Sequence, residues 1–220
     1  MSQRISRRRV VATAGGVLGL ALVGDLAGAA QSGIDAVARQ DDGEDDGDYW
    51  TVTEATAATT VTEDTDDVNS DGDAYVTEGV EIDGNVVAAG HVLLEDDVEV
   101  DANVEAAGSV VAGSDVEIDG DVDATGDVLL GVDLDANREA SENDELAGLG
   151  DVVRGSDAAV DGDVTAGGDV LLGPDGEVGG DVSAEGIVVL DEDAEVDGSV
   201  SGASVERHAD AEVGDDDDDD

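Results

Sequence analysis

The chain has 220 residues and a formal net charge of −51, from 59 acidic residues against eight cations that are all Arg. Such a field repels phosphate backbones and anionic lipid, so it excludes a conventional nucleic-acid or anionic-membrane binder, and it is sustained only where salt screens like charges. The composition matches that of proteins from salt-in halophiles. The absence of Cys excludes a disulfide framework and thiol chemistry.

Residues 1–30 differ from all that follow. MSQRISRRR is basic, and Val10 to Ala30 is apolar, rich in Gly and Ala and broken only by Asp25. Ser6-Arg7-Arg8-Arg9-Val10-Val11 resembles a twin-arginine export signal, and Ala27-Gly28-Ala29 fits a small-residue cleavage site. The expectation is an exported protein or one held at the cell envelope by an uncleaved membrane anchor, with a cytoplasmic location as the alternative.

Residues 31–79 are acidic and then Thr-rich, and they read as a largely disordered linker. Within it, Tyr49-Trp50-Thr51-Val52 and Ala58-Thr59-Thr60-Val61 have the composition to add a strand or cap a following domain. Asp67, Asn69, Asp71, Asp73 and Glu78 follow the D-x-N-x-D-G spacing of a calcium loop. In so acidic a chain that spacing also arises by chance, and the flanks lack helical character, so calcium is an alternative to no cofactor.

From Val80 to about Val205 the chain is written in sixes: VEIDGN, VVAAGH, VLLEDD, VEVDAN and onward. The sixes group in threes, so that VEIDGN, VEVDAN and VEIDGD begin at Val80, Val98 and Val116, a spacing of 18. A short fixed period marks a solenoid. Position 1 is nearly always Val, position 3 is aliphatic and position 5 is most often Gly, while positions 2, 4 and 6 are mostly acidic or small and polar. Alternation of this kind describes a short strand, apolar inward and acidic outward, with Gly permitting a bend. Three strands and three bends close one coil, giving an all-β, single-stranded triangular β-helix about 35 Å long at about 4.8 Å per coil.

The third strand of each coil departs from the alternation. Its outward position is Leu93, Val111, Leu129, Val153, Leu171 and Val189, an apolar stripe expected to be an association face or to be covered by the chain's own linker. The outward Glu81, Glu99, Glu117, Glu177 and Glu195 form a carboxylate ladder on another face.

Residues 134–151 disturb the frame. The step from Leu134 to Ala158 is 24 in place of 18, which reads as six extra positions in one coil, looping out near 138–145. Arg154 then falls on an inward position, where an unpaired guanidinium is costly, so an acidic partner or a local register shift is expected. The last coil decays, with Glu206 and His208 on inward positions, and 206–220 is an acidic tail ending in six Asp.

Enzymatic chemistry has little to draw on. The two His, at 91 and 208, sit at opposite ends of the repeat and cannot build a three-His zinc site. Gly falls two positions after the inward aliphatic residue, unlike the hexapeptide-repeat acyltransferases.

The segment 160–202, VDGDVTAGGDVLLGPDGEVGGDVSAEGIVVLDEDAEVDGSVSG, resembles the bactofilins, polymer-forming cytoskeletal proteins. The resemblance covers about residues 80–205. It implies a right-handed triangular β-helix, assembly with itself end to end without nucleotide, and a scaffold role at membranes. Two features depart from it, the export-like N-terminus and the disturbance near 138–145. The expected function is a non-enzymatic, self-assembling structural scaffold at the envelope, associating end to end and also laterally, with a membrane or envelope partner and no nucleic acid. An exported binding or adhesion module using the apolar face or the calcium loop is the alternative.

Replacing Arg7 and Arg8 by Lys should leave the protein in the cytoplasm, because a twin-arginine signal needs the guanidinium pair and not charge alone. Cell fractionation decides this, and unchanged export would remove the assignment.

Overall fold

The structure is a computed structural model that describes residues 48–142, 149 and 152–214. The export-signal and hexa-Asp assignments lie outside the described residues.

The chain forms a β-solenoid of three parallel sheets and about eight turns, in which most coils return to the same place after a step of 18. The first sheet runs from Glu81–Ile82 to Glu212–Val213, the second from Val68–Ser70 to Val200–Ser201, and the third from Thr59–Val61 to Ser204–Arg207. Register is strict: Glu81 pairs with Glu99 and Glu99 with Glu117, Val86 with Val104 and Val104 with Val122, and Val92 with Val110 and Val110 with Val128. Like therefore stacks on like. Val and Ile fill the prism as a continuous column with almost no exposed surface, and Glu or Asp faces water on the first sheet. Branched side chains suit this interior because their stiff χ1 costs little in a strand.

The strands are only two to four residues long, so the corners decide the geometry. At the first corner, the side chain at position 6 of each coil accepts the backbone N–H of the equivalent residue one coil later. Asp67 Oδ1 accepts from Asn85 N at 2.9 Å, Asn103 Oδ1 from Asp121 N at 2.8 Å, Asp121 Oδ1 from Asp163 N at 2.9 Å, and Asp181 Oδ1 from Ser199 N at 2.8 Å. The second corner repeats this through Asp73, His91, Ser109, Asp127 and Asp169, ending at Ile187 N. The Gly at position 5 does not point into the core as simple alternation suggests. The space its side chain would occupy is held by the corner of the coil beneath: a Cβ on Gly162 would lie 2.4 Å from Asp121 Oδ1 and 2.7 Å from the Gly120 carbonyl.

The third corner turns through a left-handed residue. Asp97, Asp115, Asp157, Asp175 and Asp193 have φ of 54–58°, and Gly79 occupies the same place at 71°. Asp is among the few non-Gly types that accept this region.

The solenoid is longer than the expected 80–205. Thr59–Val61, Val68–Ser70 and Ala74–Val76 are paired strands of the first turns. The described part of the supposed linker, 48–79, is thus folded, because Val61, Val68, Ala74 and Val76 continue the inward column. At the other end, Val188 pairs with Val205 and Val196 with Val213, a step of 17. Loss of one residue restores the pattern that the strict frame loses. Val205 and Arg207, not Glu206 and His208, take the inward places, and Ala211 stays buried.

The disturbance is larger than six residues. Leu130 pairs with Leu172, a step of 42, whereas Leu172 pairs with Leu190 at the usual step of 18. Twenty-four residues are therefore spliced in between Leu130 and Gly155, and VVRGSD contributes no strand to the third sheet. The corner Gly155-Ser156-Asp157 closes the interrupted coil: Ser156 N donates to Ser114 Oγ at 3.2 Å, and Asp115 N to the Ser156 carbonyl at 3.2 Å. Part of the insertion, read as a loop, is an α-helix, Leu134–Glu142, capped by Asp133, whose Oδ1 accepts from Ala136 N at 2.9 Å. Asn137, fully buried, staples the helix to the returning chain. Its amide donates to the Asp133 and Val153 carbonyls and accepts from Val153 N, each at 2.7 Å.

Two glycine substitutions should separate the two kinds of corner. Gly162→Ala forces coils apart and should cost about 1–3 kcal/mol. Gly79→Asp reproduces a residue that five other coils carry at that place, with nothing within 4 Å of the new Cβ, and should fall within about 0.5 kcal/mol of the parent. Urea denaturation of both variants measures the difference.

Candidate assembly surfaces

The apolar stripe is not an open face. Leu93, Val111, Leu129 and Leu171 are fully buried in a second core outside the prism. Its cover comes from two places in the chain. The 3₁₀ turn Asp48–Thr51 and the residues after it supply Tyr49, Trp50 and Val52. The insertion supplies Val132, Leu134 and Val152. Of the two expectations for the stripe, coverage by the chain itself holds for these residues, with the insertion joining the segment 49–52 in the cover. Val153 is 39% exposed because it belongs to the returning chain and not to the ladder, and Val189 is half-buried at the upper edge of the cover.

Polar contacts clamp the helix onto this core. The Arg138 guanidinium lies 5.4 Å from the Tyr75 ring centroid and 3.6 Å from both Glu95 and Asp135. The Tyr75 hydroxyl donates to Glu95 Oε1. Burial, and then that hydrogen bond, push the Tyr75 phenol up to about 12. Arg154 finds its acid outside the insertion: Nε meets Asp191 Oδ2 at 2.9 Å, and Nη1 donates to the Leu149 carbonyl at 2.9 Å and to that of Val152.

The proposed calcium ligands are not gathered. Asp67 and Asp73 lie on either side of strand Val68–Ser70 and belong to different corners, each already accepting a backbone N–H from the coil above. Asn69 is outward and exposed on the strand between them. Glu78 lies beyond the next strand, where its N–H donates to Glu95 Oε2 at 3.1 Å. Among the described residues no group of three or more His, Asp or Glu is arranged to hold a metal ion.

The Glu ladder of the first sheet carries an electrostatic cost. Partial desolvation, then the charges of Glu81, Glu117, Asp101 and Asp119, hold the Glu99 carboxyl above the usual range. By contrast, hydrogen bonds from the backbone and hydroxyl of Ser199 hold Asp181 below it. The carboxylates of the corners are structural acceptors, while those of the first face serve solvation.

The C-terminal coil is the exposed end of the prism. Residues 201–210 are all exposed, although Val205 sits directly over the fully buried Val188. Val205 is 45% and Ile187 37% exposed. Among the described residues, the strands Val200–Ser201, Ser204–Arg207 and Glu212–Val213 are each the last of their sheet. The sequence frame, which places Glu206 and His208 inward, hides this apolar end.

No helix among the described residues is long and apolar enough to cross a membrane. Comparison of the chain with protein families, characterised proteins and solved structures finds no match.

Since the stripe is core, Leu129→Ala should cost about 2–5 kcal/mol, whereas Val153→Asp should stay within about 0.5 kcal/mol. Chemical denaturation of the two variants checks this. Equal, small losses would mean that the cover is not seated in solution.

Proposed function

We propose that this chain is a non-enzymatic structural protein that assembles with itself end to end, a bactofilin-like scaffold of the cell envelope. The observation that supports this reading is the terminal coil, whose three strands are the last of their sheets among the described residues, with Val205 half-exposed. Unpaired parallel edges are templates for further strands. A partner that satisfies all three at once must present three parallel edges on the same triangle, and a second copy of this rod does so. The burial of the stripe argues against a lateral contact through it and so favours contact through the ends. It also weakens the competing reading of a binding module, which relied on an open apolar face or on a calcium loop whose ligands lie apart. Placement at the envelope rests on residues 1–30, and a halophilic source on the charge of −51.

Electron microscopy of the purified protein in molar KCl should show filaments about one prism wide. Val205→Asp places a carboxylate in the terminal coil, over Val188, so it should yield short rods while circular dichroism shows the strands of the inner coils retained. Wild-type protein that stays monomeric at every concentration would refute self-assembly.

A further inference from the structure

His91 stands where a corner ladder meets the strap, residues 48–57, that covers the second core. In the ladder it occupies the rung between Asp73 and Ser109. Its own N–H donates to Asp73 Oδ1 at 2.9 Å, and its Nδ1 accepts from Ser109 N at 2.9 Å. Nδ1 therefore carries a lone pair, and the ring proton resides on Nε2. On the axial side the ring is confined by Gly108, where even a Cβ would approach Nδ1 to 2.6 Å. On the outer side the Tyr49 ring stands edge-on, with centroids 6.1 Å apart, and Tyr49 in turn packs on Trp50 at 4.9 Å.

We propose that His91 is a pH-sensitive latch: a proton on Nδ1 breaks its rung and releases the strap from the apolar stripe. The chemistry is a conflict of donors. Protonated Nδ1–H faces the Ser109 N–H, and neither accepts. The ring must turn, the Gly108 backbone lies on its axial side, and the Tyr49 ring packs against it from the strap. Displacing Tyr49 and Trp50 opens the cover over Leu93. Among the described residues, the titratable groups in contact with His91 are Asp73, from the corner beneath, and Tyr49, from the strap; Ser109 and Gly108 above are neutral. The other rungs of this corner are Asp and Ser, whose oxygens accept, so His91 is the rung whose acceptor becomes a donor on taking up a proton. The proposal is independent of self-assembly.

Trp50 is the only Trp in the chain, so its fluorescence reports the strap directly. Full-length protein in molar KCl is titrated from pH 8 to 5.5, following Trp emission, acrylamide quenching and far-ultraviolet circular dichroism. Wild type should show a red shift and a several-fold rise in quenching while the circular dichroism holds. His91→Asn keeps an oxygen acceptor, as Asn103 does for Asp121 at the first corner, and should remain buried and unresponsive throughout. His208→Asn, altering the exposed terminal coil, should respond like wild type. A flat wild-type titration, an equal response in His91→Asn, or a loss of circular dichroism together with the Trp signal each overturns the latch.

Discussion

The hydrogen bond from a corner side chain to the backbone of the next coil is the interaction on which the architecture depends. Two- and three-residue strands make too few ladder bonds to fix a coil, and parallel pairing is the weaker kind per residue. The corner acceptors add a bond per coil at each of two corners, and they work only if equivalent positions return after one full turn. That requirement imposes the period of 18. It also favours glycine at position 5, since the accepting atom occupies the space a Cβ would take; Ala102 is an exception, and there the bond from Asn103 N to Asn85 Oδ1 is longer, at 3.3 Å. Period, glycine and acceptor are thus one constraint.

The same constraint governs where the chain tolerates change. The insertion leaves after Leu130 and rejoins at a corner, Gly155-Ser156-Asp157, which reproduces the Gly113-Ser114-Asp115 corner beneath it. Strand register on both sides is untouched, and Leu130 stacks on Leu172 as though nothing intervened. Loop closure costs only slowly more with length, whereas a slip of one residue would turn Val outward along a whole face. The missing residue in the last coil has the same logic: it falls at a corner and leaves Val205 over Val188.

Much of this is legible in the sequence alone. Positions 1 and 3 of the hexad read correctly as the column Val80, Ile82, Val98 and Val100, and the spacing of 18 names the three-sheet prism. Position 6 misleads, because Asp and Asn look like solvent-facing residues; the signal it carries is a run of acceptors at that one place, Asp67, Asn85, Asn103, Asp121, always just after the bend. VVRGSD fits the hexad by composition, yet Arg154 cannot enter a core with no buried acid, so composition points to a coil that physics forbids. The cover is visible only in outline. A third strand apolar on both sides announces a second layer, and the chain's aromatics, Tyr49, Trp50 and Tyr75, are among the residues that fill it. What no local pattern supplies is that two segments so distant in sequence, one around Trp50 and one around Leu134, would share the task.

That shared cover changes what the charge of the molecule means. A rod with carboxylates at every outward position has no means of burying large side chains except where a face is spared them. The third sheet is that face. By closing it with its own chain, the protein gains the aromatic burial that the narrow inner column of Val, Ile, Leu and Ala lacks, and further Leu burial beside it, each such side chain contributing about 1.5–3 kcal/mol when fully buried. The seal is made with few charges: Arg138 and Arg154 lie at its margin, each against a carboxylate of the rod, Glu95 and Asp191. Pairs this close keep some attraction even when molar salt shortens screening to about 3 Å, whereas repulsion between the more distant carboxylates of the first face is suppressed. Salt therefore acts unequally on the two faces, relieving the first while leaving the clamps of the third in place.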